Sequence, residues 1–139
     1  MLFMLAMMLG IVAANAQGTG TVVVADGTTT NSNVPVIGLY ADDNYQRNQT
    51  IYPESMLTDI VGKEIQGITY YVSATTVTFN GEFELSLGIC EASSFTSNSY
   101  DDATTLTTVY TGTFDCTSAE ITLTFSTPFT YTGGISLLI

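Results

Sequence analysis

The chain has 139 residues, with 13 Asp and Glu against two Lys and Arg, no His, and a net charge of -11 at pH 7. A polyanion of this kind repels phosphate backbones and anionic headgroups, which argues against nucleic acid and peripheral membrane as partners. The lack of His removes the commonest general base, the Ser–His and Cys–His nucleophile pairs and imidazole zinc sites, so a non-catalytic protein is expected.

Met1 to Ala14 is apolar almost throughout, and Ala14-Asn15-Ala16 supplies the small-x-small pattern that a signal peptidase accepts. A membrane span needs about 20 apolar residues, so residues 1–16 read as a signal peptide. The expected destination is the secreted space or the outer surface, with no stable membrane insertion after cleavage. No Lys or Arg precedes the run, which points to a start codon upstream of Met1 or a clipped gene model.

Residues 17–139 suit one domain, and their abundant Thr, Val, Ile, Tyr and Phe favour strands. Thr21 to Ala25 is a first short β run, closed by Asp26-Gly27. Residues 27–50 form a polar excursion, pairing briefly at Val36–Tyr40 and Gln49–Tyr52. Pro53 to Gly62 is the single helical segment: Pro opens it, Glu54 favours the dipole and Gly62 can cap it. Met56, Leu57, Ile60 and Val61 would form its apolar stripe.

Alternation of period two follows. Ile65 to Ser73 is a strand. Asn80-Gly81 resembles a two-residue hairpin, but only a three-residue turn sets Phe79 opposite Phe83 and Val77 opposite Leu85. Phe83, Leu85, Leu87 and Ile89 alternate with Glu82, Glu84, Ser86 and Gly88. Thr105 to Phe114 comes next, then Ile121, Leu123 and Phe125, and finally Ile135, Leu137 and Ile139. The prediction is an all-β antiparallel sandwich of roughly seven to nine strands with one short helix. Its core comprises Phe83, Leu85, Leu87, Ile89, Ile121, Leu123 and Phe125. The sequence stops inside an apolar strand, so it is expected to be the N-terminal part of a longer protein with further domains.

Several stretches share one pattern: Val24-Ala25-Asp26-Gly27-Thr28, Val34-Pro35-Val36 with Tyr40 and Tyr45, Gln49-Thr50-Ile51-Tyr52 and Gly67-Ile68-Thr69-Tyr70-Tyr71. Val109-Tyr110-Thr111-Gly112-Thr113, Ile121 to Phe125, Pro128-Phe129-Thr130-Tyr131 and Leu137-Leu138-Ile139 continue it. In these the chain resembles the N-terminal segments of large secreted and surface proteins of Bacteroidota, from which its two Cys depart. The resemblance implies a jelly-roll-like sandwich ahead of fibronectin type III, adhesin or sorting modules. It also implies adhesion to a glycan or a host or cell-surface protein. An accessory domain of a secreted hydrolase and a spacer without ligand are the alternatives.

Four sets of residues are candidates for chemistry. Cys90 and Cys116 are allowed a disulfide in an exported protein. If the Phe83 and Thr105 strands pair, however, the two lie roughly 26 Å apart at about 3.3 Å per residue, against a limit of ~7 Å. Asp42-Asp43 and Asp101-Asp102 are paired loop acids of the kind that ligate Ca2+, although neither pair has the spaced calcium-loop pattern and solvated acids are the default. No other cofactor is expected. Tyr40, Tyr45 and Tyr100 fall in loops and are the candidates for stacking on a ligand. Glu82 and Glu84 suffice in number for glycoside hydrolysis, but they lie side by side on one strand face rather than across a cleft.

Overall fold

A computed structural model describes residues 20–24, 45–71, 82–114 and 117–139. Six strands form among the described residues: β1 (Ile51–Tyr52), β2 (Lys63–Tyr71), β3 (Phe83–Cys90), β4 (Thr107–Gly112), β5 (Glu120–Tyr131) and β6 (Ser136–Leu138). They make two antiparallel layers, a four-stranded sheet in the order β1-β6-β3-β4 and a two-stranded sheet of β2 and β5. The all-β sandwich-like architecture expected from the alternation is present. No helix among the described residues is long and apolar enough to cross a membrane.

Phe83, Leu85, Leu87, Ile121, Leu123 and Phe125 are buried as the alternation requires, joined by Val109, Phe114, Tyr131 and Leu137. Fully burying a side chain of this size stabilises the fold by about 1.5–3 kcal/mol. Phe114 ties the layers together, with Phe83 at 4.9 Å between ring centroids and Tyr70 edge-on at 5.7 Å.

Two irregularities shape the sandwich. In the β3–β4 ladder Leu85 pairs with Tyr110 and Ser86 with Thr108, so Val109 is an extra residue on β4. Its carbonyl accepts from the Ser126 hydroxyl of β5 at 3.1 Å, which supplies a partner where the ladder skips. In the β2–β5 ladder Ile65 pairs with Phe129 and Gly67 with Thr124. β5 therefore leaves β2 across residues 125–128 and touches β4. Pro128, which has no N–H to donate, falls in that gap.

Three sequence expectations change. The segment after Pro53 is two 3-10 turns, Glu54–Met56 and Thr58–Ile60, and not an α-helix. Three residues per turn put Leu57 and Ile60 on one side, so they pack inward while Met56 and Val61 are exposed. Gly62 does end the segment, at a φ of 73° that favours glycine. Ile89 is 44% exposed and not part of the core, because the two-stranded layer does not cover that end of β3. Residues 21–24 belong to no ladder, although Val24 packs against the core. The Gln49–Tyr52 stretch does pair, at Ile51 and Tyr52 of β1 with β6, whereas Val36–Tyr40 and the Asn80-Gly81 turn lie outside the described residues.

Candidate functional site

The long excursion between β3 and β4, residues 91–106, lies as a strap over the face of β3 turned away from the core. Gly88 is buried there: a Cβ at this position would meet the Thr105 carbonyl at 2.6 Å and the Thr104 side chain at 2.8 Å. Cys90 is buried beside it, its thiol donating to the Ala92 carbonyl at 3.4 Å. Leu138 of β6, paired with Gly88, and Ser136, paired with Cys90, complete a second small buried patch. Burial pushes the Cys90 thiol pKa up, and the nearby Asp101 carboxylate adds to this.

One clasp fixes the strap to the segment that leads into β1. The Gln49 amide bonds the backbone of Asp101 twice, donating to its carbonyl at 3.0 Å and accepting from its N–H at 2.7 Å. A side-chain amide thus copies what a neighbouring strand would do. The Asp101 carboxylate turns inward along the strap. One oxygen accepts from the N–H groups of Ala103 and Thr104 at 2.9 and 3.0 Å, and the other accepts from the Thr104 hydroxyl at 2.7 Å. The Thr104 bonds, followed by that of Ala103, hold the Asp101 pKa below its ordinary value.

Tyr100 and Arg47 interlock beside the clasp. The Tyr100 hydroxyl donates to the Arg47 carbonyl at 2.7 Å, and the Arg47 guanidinium sits 4.5 Å from the Tyr100 ring centroid. The same guanidinium pairs with Asp102 at 2.9 Å. Exposed contacts of these kinds are each worth about 0–1 kcal/mol, so their role is to fix an orientation more than to stabilise the fold. Tyr100 remains 50% exposed, and Tyr45, two residues before Arg47, is 82% exposed. The result is an exposed phenol and guanidinium locked together, with Tyr100 held from two directions and Tyr45 exposed on the segment that carries Arg47.

These contacts place the residues singled out from the sequence. Tyr45 and Tyr100 come to the surface on segments that the clasp joins. Asp101 and Asp102 are committed to protein partners, and no three Cys, Asp or Glu side chains gather as a metal-binding group among the described residues. Glu84 accepts from the Ser86 and Thr108 hydroxyls at 3.3 and 3.2 Å on an exposed strand face. Cys90 is a free thiol. The paired β3 and β4 start from Phe83 opposite Gly112, which sets Cys90 at the other end of the hairpin. Tyr40, Asp42, Asp43 and Cys116 lie outside the described residues.

Gln49 and Arg47 are the functional residues that the sequence reading passed over. A lone Gln carries no pattern. The Asp101-Asp102-Ala103-Thr104 run does carry one: an acid two and three residues ahead of N–H groups it can accept from is a turn signal. No family model, curated protein or solved structure matches this chain.

Proposed function

We propose that the chain is a non-catalytic, exported binding module of a cell-surface or secreted bacterial protein, using the Tyr45–Arg47–Tyr100 patch to adhere to a glycan or a protein. The observation that carries this reading is Tyr100: half its surface is open, yet its ring and hydroxyl are both fixed by Arg47. An exposed aromatic ring that is already immobilised loses little freedom when a ligand stacks on it, which is the physical basis of preorganised binding. A phenol also offers an apolar face and a polar edge, the combination that both sugar rings and protein surfaces recognise. The apolar leader and the absence of His support export and a non-catalytic role.

A glycan array and an adhesion assay on immobilised cell-surface protein test the proposal. Wild-type protein binds at least one of these surfaces. Tyr100→Ala and Tyr45→Ala weaken that binding, whereas Tyr71→Ala, which removes an exposed ring from β2, does not. Binding that survives loss of both loop rings contradicts the patch, and absence of binding to every surface favours the spacer reading.

A further inference from the structure

Residues 45–50 belong to neither helix nor strand, the kind of segment at which a folded protein is nicked. The whole sequence offers a protease of trypsin-like specificity only two residues, Arg47 and Lys63. Lys63 opens β2 opposite Tyr131, so its backbone is tied into a ladder. Arg47 lies in the irregular segment, and all six described strands follow it, from Ile51 to Leu138.

A protease that selects arginine must grip two groups of that residue. The guanidinium enters a pocket with a carboxylate at its floor, and the carbonyl oxygen turns toward donors that hold the developing oxyanion. In the folded chain both groups are already taken. The guanidinium is paired with Asp102 at 2.9 Å and lies 4.5 Å from the Tyr100 ring centroid, and its side chain is 36% exposed. The carbonyl accepts from the Tyr100 hydroxyl at 2.7 Å. Two residues further on, Gln49 is bonded twice to the Asp101 backbone. The strap therefore competes with a protease for the same two groups, carboxylate for guanidinium and hydroxyl donor for carbonyl.

We propose that the Arg47–Asn48 bond is a processing site for an arginine-specific endopeptidase, and that the clasp is its gate. Water adds across that peptide bond, leaving a carboxylate on Arg47 and an ammonium group on Asn48. Cleavage waits on local opening of the clasp, because a protease binds its substrate as an extended strand. The cut severs Tyr45 and Arg47 from the Tyr100 surface while Gln49 stays bonded to the strap. On the adhesive reading above this ends binding. The cleavage itself does not depend on that reading, so the two fail separately.

Limited digestion of the folded protein with trypsin tests the gate, with the rate at each bond read from product masses. Wild-type protein should be cut first and slowly after Arg47, and only later after Lys63. Tyr100→Phe keeps the ring over the guanidinium but frees the Arg47 carbonyl. It should be cut after Arg47 about fivefold faster, the factor that one hydrogen bond is worth. Gln49→Ala should also be cut faster there, and Tyr71→Phe, which alters a phenol on β2, should match wild type. The rate after Lys63 separates a local gate from general loosening and should be the same in all four proteins. First cleavage after Lys63, resistance of every variant at Arg47, equal Arg47 rates in wild type and Tyr100→Phe, or an equal rise at both bonds overturns the proposal.

Discussion

Three donors converge on the Asp101 carboxylate, and each bond is stronger while that group is ionised. The sign of the resulting pH dependence follows. The folded pKa lies below the ordinary 3.8, so the contribution to stability is complete above that value and is lost as pH falls through the lowered one. Hydrogen exchange at the Ala103 and Thr104 amides should therefore keep its protection at neutral pH and lose it on the acid side. Asp101→Asn, which turns one acceptor into a donor, should exchange faster at every pH and lose that acid limb. An unchanged profile in Asp101→Asn would remove the carboxylate from the account. The residue scale also shows what the sequence leaves open about the acids. Adjacent Asp residues look the same whether they are free ligands or are filled from within, and only the following Thr104 separates the two cases.

At the scale of elements, the alternation in β3 and β5 was legible because one face of each meets a core. It cannot report whether the second face is covered. From Gly88 onward the strap covers that second face, so Gly88 and Cys90 are buried while Ile89 is exposed. The start and stop of the 53–62 segment were equally legible from Pro53 and Gly62. Its helix type was not, since Leu57 and Ile60 fit both a three-residue and a 3.6-residue repeat. Gly88→Ala tests the strap directly. The new methyl group would meet the Thr105 carbonyl at 2.6 Å and a Leu106 methyl at 2.9 Å, and must lift the strap or bend the strand. A loss of about 1–3 kcal/mol in denaturant unfolding is expected, typical of overpacking. A neutral result would mean that the strap does not press on the sheet.

Across the whole molecule, β6 is the hub. It lies between β1 and β3, and Ile139 and Thr50 exchange backbone bonds at 2.8 and 2.9 Å beyond its end. Leu138 is fully buried against the strap side while Leu137 enters the main core, so three residues join both buried regions. Leu138→Ala should cost about 2–5 kcal/mol in urea unfolding, the range for a buried Leu that leaves a cavity. None of this could be read from Ile135 to Ile139 alone, because a short apolar run says nothing about which strands flank it. The binding patch depends on the same assembly: Tyr100 is presented only while the strap is clasped to the segment entering β1. Cys90 reports that clasp, since it is buried beneath the strap while Gln49 bonds the strap at the Asp101 backbone. The most direct measurement is the alkylation rate of Cys90 in native protein, resolved from Cys116 by peptide mass. Gln49→Ala should accelerate it several-fold while far-UV circular dichroism stays unchanged, as expected when a local opening grows easier. An unaltered rate would contradict the strap and clasp, and with them the ordered Tyr100 surface on which the functional reading depends.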